Sequence, residues 1–403
     1  MRKIQLQRRI EPWPIYWIAF ERKSLSLKLM SGLYIHIPFC RQACIYCNFH
    51  FKTGTSQVDA LVDAICREIE VRKSECTEPV ETIYFGGGTP SFVPAEAIDR
   101  IIKTIHKYYP IEKITELTLE ANPDDINETQ LLAWKAAGIT RLSIGVQSFY
   151  DNDLKWMNRA HNGQEAETCI KLAIDNGFEV SIDLIFGLPE SKEEQWRFNL
   201  IKANALGVHH LSCYGLTLEE NTAWKKLIER GKYAPANDQL TATHFEWTME
   251  FLSRYGWQHY EISNYCQPGF MAKHNTSYWQ QKPYLGFGPS AHSFNGTERQ
   301  WNVADNAAYT DAIEKGTLPA EKEVLTKENK INEYIMTGMR TKWGVDLLAL
   351  AKMGGRNAAF NEQLEKHLNN KMVEQEGQVI RLTNKGKVYA DAIAADFFVS
   401  NAS

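Results

Sequence analysis

At 403 residues, the chain is long enough for one large domain and one small one. Hydrophobic residues make up 44% and aromatic residues 11% of it, so we expect a folded protein with a sizeable core. The net charge is −4, from 45 Lys and Arg against 49 Asp and Glu, which argues against a nucleic-acid partner. No apolar run reaches the ~20 residues of a transmembrane helix.

The first thirty residues differ from the rest of the chain. They carry seven basic and two acidic residues and lack the apolar core and small-residue cleavage site of a signal peptide. We interpret residues 1–30 as a poorly ordered extension, with Met30 a candidate for the true start. The alternative is a peripheral membrane contact made by interfacial aromatic side chains, here Trp13, Tyr16, Trp17 and Phe20.

From residue 31 onward, short apolar runs alternate with longer helical patterns. The predicted strands are residues 33–37, 82–85, 116–120, 141–146, 180–185 and 209–214. The predicted helices are residues 58–73, 94–108, 127–137, 163–176, 192–206 and 237–255. This alternation predicts parallel strands with crossover helices. Six such units fit a partial (β/α)6 TIM-like barrel over residues 31–318, with the active site at the carboxyl ends of the strands.

Three cysteines, Cys40, Cys44 and Cys47, follow the first predicted strand with the spacing C-x3-C-x2-C. Closely spaced thiolates are typical ligands of zinc, copper or an iron–sulfur cluster. A disulfide framework is a poor fit, because the chain is long and has only eight cysteines. On a cubane cluster, three thiolates would leave one iron open to another molecule.

Polar residues follow the next predicted strands. Gly86-Gly87-Gly88-Thr89-Pro90 could present backbone N–H groups to a carboxylate, or form only a tight turn. Glu120, Gln147 and Asp183 end later strands. Taken singly, each of these three residues could be an ordinary helix cap. Their shared position at one end of successive strands favours a binding site.

Past the sixth strand, the segment 273–279 combines an imidazole, an amide, a phenol and an indole. This set suits a flat aromatic ligand with a central metal, with His274 as axial ligand. The alternative is an ordinary packing segment in which the imidazole is hydrogen-bonded. Gly286 and Gly288, further along, are expected to form turns. The proposed heme contacts are His274, Asn275, Tyr278 and Trp279.

The cysteine loop resembles the signature of the radical S-adenosylmethionine (SAM) family. In that family three cysteines hold a [4Fe–4S] cluster, and SAM chelates the fourth iron through its amino and carboxylate groups. The resemblance independently implies a partial (β/α)6 barrel, with Ile185 and Gly187 on the adenine side. It implies SAM contacts at Tyr34, Tyr46, Gly87, Gly88, Thr89, Glu120, Gln147, Arg159 and Asp183.

Residues 34–40 and 274–279 resemble a narrower branch, which contains heme chaperones and oxygen-independent coproporphyrinogen III dehydrogenases. The dehydrogenases have a fourth cysteine two residues after the third, where this chain has Phe49. They also have a longer ordered N-terminal region. The resemblance therefore favours a heme carrier and assigns no catalytic residue. The alternatives are oxidative decarboxylation of coproporphyrinogen III and radical chemistry on another tetrapyrrole.

For a heme carrier, the resemblance implies heme as cargo and apo-cytochromes or other heme proteins as acceptors. A bacterioferritin-like heme donor and a homodimer are further candidates. Residues 319–403 resemble the small helical, winged-helix-like C-terminal domain of the branch, which we interpret as a packing or partner-binding module. Unpaired cysteines and an oxygen-sensitive cluster predict a cytoplasmic location.

Overall fold

The computed structural model describes residues 32–76, 78–189 and 191–399. The expectations for residues 1–30, including the candidate start at Met30 and the interfacial aromatics, fall outside these described residues. Within the described ranges, no helix combines the length and the apolar character needed to cross a membrane.

Seven parallel strands form the centre of the fold, and the last of them in sequence, β7, lies beside the first, β1. The order across the sheet is therefore β7-β1-β2-β3-β4-β5-β6. The strands are β1 Gly32–Ile37, β2 Thr82–Gly87, β3 Glu116–Ala121, β4 Arg141–Gln147, β5 Glu179–Phe186, β6 His210–Gly215 and β7 Tyr284–Phe287.

Antiparallel strands extend this sheet at both edges, so the barrel stays open in the part of the chain that the structure describes. Beyond β6 lie Asn264–Cys266 and then Gln258–Glu261. Beyond β7 lie His292–Phe294, Glu298–Asn302 and Ala320–Val324.

Helices cover the outer face of the sheet. In α2, for example, Ile98, Ile101, Ile102 and Ile105 recur at the spacing of one helix face and are buried. The helices are α1 Val58–Val71, α2 Ala95–Tyr108, α3 Glu128–Ala136, α4 Asp151–Trp156, α5 Gly163–Asp175, α6 Glu193–Ala205, α7 Ala223–Glu229, α8 Asp238–Arg254, α9 Lys273–Trp279, α10 Asn306–Glu314, α11 Lys327–Met339, α12 Leu347–Met353, α13 Ala358–Asn369, α14 Asn384–Lys387 and α15 Ala390–Asp396.

Alternation along the strands separates an apolar outer face from a polar interior. Leu33, Ile35 and Ile37 belong to the core under the helices, whereas Tyr34 and His36 point to the other side. Parallel register brings further polar side chains to the same interior face. These include Tyr84, Thr118, Glu120, Arg141, Ser143, Ser181, Asp183, His210 and Ser212.

The C-terminal region has a separate apolar core, built from α11 to α15 and a three-stranded antiparallel sheet. Its strands are Val345–Asp346, Val379–Leu382 and Val373–Glu376, in that order. A β-bridge between Glu261 and Thr341 joins this region to the barrel. The fold is thus an α/β partial barrel with a small helical, winged-helix-like C-terminal unit.

The predicted barrel elements lie within two residues of the observed bounds at each end, but β7 was not predicted. The expectation that Gly286 forms a turn is wrong: it lies within β7 and pairs with Tyr34. A Cβ at this position would lie 2.1 Å from the His292 carbonyl oxygen, so close packing of backbone requires glycine here. Gly288 does turn the chain, with φ of 99°.

Candidate cluster and cofactor site

Backbone contacts hold the cysteine loop at the carboxyl ends of the strands. Cys40 ends the two-residue strand Phe39–Cys40, which pairs in parallel with Lys52–Thr53. The Ile45 N–H donates to the Met157 carbonyl at 3.3 Å, and the Trp224 N–H donates to the Ile45 carbonyl at 2.8 Å. The loop is therefore fixed between the first strand and elements that follow the fourth and sixth strands.

Residues 158 and 159 contact the same loop from the other side. The Asn158 amide donates to the Ala43 carbonyl at 2.7 Å, and the Gln42 amide donates to the Asn158 carbonyl at 2.6 Å. Arg159 Nη1 lies 3.3 Å from the sulfur of Cys44. The guanidinium, predicted only by resemblance to contact SAM, therefore also places a positive charge beside a candidate cluster ligand.

The three cysteine thiols are half-buried and free. Burial raises the pKa of Cys40 to about 11 and also raises the pKa of Cys47. Metal ligation requires thiolates, so a positively charged group must offset this burial. Among the described residues, no three His, Cys, Asp or Glu side chains converge on a point that would hold a single metal ion. A cubane cluster distributes its cysteine ligands over different irons, and three thiols around a cavity fit that donor set.

A cavity of about 420 Å³ opens beside the cysteine loop. Its volume is typical of small-molecule sites. Two of the residues tied to SAM by resemblance do not line it: Tyr34, whose hydroxyl is 3.1 Å from His36 Nδ1, and Gly187. The predicted residues that do line it are Cys40, Cys44, Cys47, Tyr46, Gly87, Gly88, Thr89, Glu120, Gln147, Arg159, Asp183 and Ile185.

The glycine turn after β2 brings the backbone close to the cysteine loop. Gly87 has φ of 113°, a conformation that favours glycine. A Cβ at Gly88 would lie 2.8 Å from the backbone N and O atoms of Phe39, so no larger residue fits without a shift. The Gly87 N–H donates to Glu120 Oε2 at 3.2 Å, which leaves this turn directly connected to the buried carboxylate.

Two carboxyl groups, Glu120 and Asp183, face the cavity from the barrel interior. Burial raises the pKa of Glu120 to about 7, although the Tyr84 hydroxyl donates to its Oε1 at 2.7 Å. Burial likewise raises the pKa of Asp183 to about 6. Buried carboxylates without a full counter-charge favour binding of a cation. The ammonium and sulfonium groups of SAM have the required charge, so the residues present fit that cofactor.

The sequence did not identify Tyr84 and Asn122 as site residues. The Asn122 amide donates to Thr89 Oγ1 at 3.2 Å, and its oxygen accepts from Arg159 at 2.6 Å. Asn122 lines the cavity and precedes a proline directly after β3, which was the available signal. Gln147 has φ of 67° at the end of β4, an uncommon conformation of the kind that concentrates at functional sites.

Apolar side chains surround the mouth of the cavity. Phe49 is 68% exposed and Tyr214 is 42% exposed, and both line the cavity. From the sequence, Phe49 was notable only as the position without a fourth cysteine. The exposed ring instead extends the cavity with an apolar surface.

The segment predicted to bind heme lies at the opposite end of the barrel. Helix α9 begins at the amino ends of the strands, where the Lys273 N–H donates to Glu116 Oε2 at 2.6 Å. His274 is fully buried; its Nδ1 is 2.8 Å from Thr82 Oγ1 and its Nε2 is 2.7 Å from the Tyr278 hydroxyl. Its ring stacks on Tyr84 at 5.2 Å.

This geometry revises the expected role of His274 as an axial heme ligand. Both imidazole nitrogens already have hydrogen-bond partners, and the ring is shielded from solvent, so it cannot reach an iron without movement of α9. Asn275 is half-buried. The half-buried Trp279 ring lies under the Arg340 guanidinium at 5.6 Å, so this end of α9 contacts the C-terminal region.

Comparison with known proteins identifies two regions. The sequence profile of the radical SAM superfamily matches residues 34–198, and that of the HemN C-terminal domain matches residues 325–389. The solved structure of coproporphyrinogen III oxidase (HemN) from Escherichia coli, described as a radical SAM enzyme, superposes with a TM-score of 0.80. It shares 23% identity over 92% of this chain and 91% of that chain, a likeness that shows the fold.

Closer relatives carry the name heme chaperone HemW. The protein of that name from Bacillus subtilis is 32% identical over 91% of this chain and 99% of its own length. The one from Synechocystis is 36% identical over 78% of this chain and 79% of its own length. The chain therefore belongs to the HemW family of radical SAM proteins.

Proposed function

We propose that this protein is a heme chaperone, which binds heme and delivers it to heme-dependent proteins. The observation that carries this proposal is the near full-length similarity to relatives named heme chaperone HemW, including 99% of the Bacillus subtilis protein.

The proposed resident cofactors are a [4Fe–4S] cluster and SAM. Cys40, Cys44 and Cys47 would hold three irons, and the turn at Gly87 with Glu120 would hold the amino-acid end of SAM. When bound together, these groups supply reductive radical chemistry. The protein's own residues contribute position and charge: Arg159 places a positive charge 3.3 Å from the Cys44 sulfur, and the buried carboxylates would attract the cationic ligand.

The competing function is oxidative decarboxylation of coproporphyrinogen III. The fold likeness to the Escherichia coli oxidase does not favour it, because a likeness at 23% identity carries the fold and not the activity. Phe49 occupies the position where the dehydrogenase pattern has a fourth cysteine. We therefore propose that heme is carried and that coproporphyrinogen is not turned over.

The proposed acceptors are apo-cytochromes or other heme proteins, with a bacterioferritin-like protein as a candidate donor and a homodimer as a candidate assembly. We also propose a cytoplasmic location. The free thiols of the described cysteines suit a reducing compartment, as does an oxygen-sensitive cluster.

An anaerobic heme titration of the cluster-loaded protein tests the proposal. We expect a Soret band that saturates at about one heme per chain, because specific sites are few per protein. A linear rise without saturation, matched by bovine serum albumin as a nonspecific control, would rule the proposed function out.

A further inference from the structure

A cleft separates the barrel from the C-terminal region on the side of β6. It comprises one cavity of about 430 Å³ and an adjoining one of about 210 Å³, which share Arg340, Lys387 and Ile262 in their walls. Gly215, at the end of β6, lines both the larger cavity and the cluster cavity. The cleft is thus distinct from the cluster site but next to it.

The larger cavity has an aromatic wall. Phe186 and Phe245 lie with their rings nearly parallel, 6.2 Å apart between centroids, and both line it. On the other side, the C-terminal region contributes Val388 and Tyr389, and the Tyr389 side chain is 55% exposed. An exposed tyrosine in the wall of a cavity is typical of a binding surface, because its ring adds contact area at low entropic cost.

The smaller cavity contains a lysine without a negative partner in contact. Lys387 Nζ bonds His259 Nδ1 at 3.2 Å and Asn384 Oδ1 at 3.1 Å. Neither partner supplies a negative charge, since one is an amide and the other an imidazole. Burial lowers the pKa of His259 to about 3, so this ring is neutral. Burial also lowers the pKa of Lys387. An ammonium held there favours an incoming anion.

Of the acidic groups of the cleft, Asp391 and Glu261 are bonded to other partners, whereas Glu374 makes no ion pair with Lys387 but its charge raises the pKa of that lysine and partly offsets its burial. Asp391 pairs with Arg340, and Glu261 accepts hydrogen bonds from the Ser263 N–H at 3.1 Å and from the Asn264 amide. Asp238 opens α8 and Glu374 is exposed. The smaller cavity is lined by four cations, Arg340, Lys342, Arg381 and Lys387, and two carboxylates, Glu261 and Glu374. Arg340 and Arg381 are ion-paired with Asp391 and Glu376, so Lys342 and Lys387 carry the cationic character of this cavity.

We propose that this cleft is the cargo site and that it binds a flat apolar ring bearing carboxylates. The ring lies between Phe186 and Tyr389, and one carboxylate pairs with Lys387. The inference rests on the proposed function and gives heme, whose two propionates supply the carboxylates, a place in the fold. Arg340 lines both cavities and lies over the Trp279 ring, so the segment singled out from the sequence is linked to the cleft through this arginine, although Trp279 itself is not part of the cavity walls.

Titrating the cluster-loaded protein with heme and with heme dimethyl ester tests carboxylate recognition. Wild-type protein should bind heme about tenfold or more tightly than the ester, because the ester cannot accept a charge-assisted bond in the same way. Lys387→Met should weaken heme binding by about the same factor and abolish the difference between the two ligands. The matched control, Lys385→Met, changes an exposed lysine of the same helix and should leave both affinities unchanged.

A second pair of variants tests the ring contact without altering a buried residue. Tyr389→Ala should weaken heme and ester alike, whereas Tyr255→Ala, at an equal exposure of 55% outside the cleft, should not. The inference is overturned if Lys387→Met and Tyr389→Ala both bind heme as wild type does. If wild-type protein itself shows no saturable heme binding, the proposed function fails and the inference fails with it.

Discussion

Several ionisable residues in the cluster cavity are buried, and burial disfavours their charged forms. Burial raises the pKa values of Cys40, Glu120 and Asp183 together, so it shifts all three groups towards their neutral forms. The neutral forms bind neither iron nor a cationic cofactor well. Ligand binding and deprotonation are therefore linked at this site.

The cluster ligands give the first prediction. Cys44→Ala should abolish a stable [4Fe–4S] cluster, because three thiolates are the whole proposed protein ligand set. Iron content and visible absorbance after anaerobic reconstitution measure this. Cys66→Ala is the control, since Cys66 is also half-buried but contacts Thr104 on the outer helices. Full iron content in Cys44→Ala would contradict the assignment.

The second prediction concerns the pH dependence of cluster-free protein. Because the pKa of Glu120 rises to about 7 on folding, the folded state holds this proton more tightly than the unfolded chain. The stabilisation that the folded state gains from protonated Glu120 is present at low pH and is lost as the pH rises from about 4 to about 7. In Glu120→Gln, the free energy of unfolding should therefore decrease by up to about 3 kcal/mol less over this pH range than in wild-type protein.

Urea unfolding from about pH 5 to pH 8 measures this effect. The exposed Glu112→Gln substitution serves as the control. If the stability of Glu120→Gln falls with pH as steeply as that of wild-type protein, Glu120 does not titrate as proposed.

Much of the site could be predicted from the sequence because its residues follow strands at fixed places in short motifs. The cysteine loop, the glycine turn, Glu120 and Asp183 do line one cavity, and their binding of the cluster and SAM stays a prediction. The role of Tyr84 in the site could not be predicted, because a tyrosine within an apolar strand is expected to belong to the hydrophobic core. Its bond to Glu120 depends on the register between β2 and β3.

Among the secondary-structure elements, α9 differs most from its expected role. It closes the amino end of the barrel, with its first N–H groups on Glu116 and its histidine between Thr82 and Tyr278. Sequence alone could not separate a histidine that binds a ligand from one that fills a barrel, since both need the same side chain. The deciding contacts come from strands more than one hundred residues away in sequence.

The third prediction follows from this packing. His274→Ala should lower the free energy of unfolding by about 2–4 kcal/mol, from a cavity and two lost hydrogen bonds. Tyr278→Phe, which removes only the hydroxyl, should cost about 1 kcal/mol. Urea denaturation measures both, with the exposed His106→Ala as control. An unchanged unfolding midpoint together with a lost Soret band in folded His274→Ala would restore the axial-ligand role.

The strand β7 was not predicted from the sequence. Its four residues, Tyr284–Phe287, include a glycine and lie between turns, so they lack the length and alternation of a recognisable strand. Pairing with β1 is what makes them a strand. The six longer strands needed no such partner information, because each precedes a helix of regular apolar spacing.

At the scale of the whole molecule, two sites lie on either side of the end of β6. The cluster cavity belongs to the barrel, whereas the cleft lies between the barrel and the C-terminal region, and Gly215 lines both. A carrier needs a cargo site that a second protein can reach. The cleft meets this need, because Tyr389 in its wall is open to solvent.

The fourth prediction separates the carrier from the decarboxylase. With SAM and a reductant under anaerobic conditions, the reconstituted protein should form no harderoporphyrinogen or protoporphyrinogen IX from coproporphyrinogen III above the level of the cluster-free Cys44→Ala variant. The reason is the different cluster environment, with Phe49 in place of a fourth cysteine. Chromatography of the oxidised porphyrins measures it. Product formation sustained over many turnovers would assign the chain to the enzyme class.

Heme delivery is the most direct test of the proposed function. Heme-loaded protein is mixed anaerobically with a heme-free cytochrome, and the acceptor's Soret spectrum is followed over time. We predict transfer whose rate rises with acceptor concentration, because delivery from a chaperone passes through a complex of the two proteins. A rate that is independent of acceptor concentration and equal to that of heme release into albumin would show passive dissociation and contradict the chaperone function.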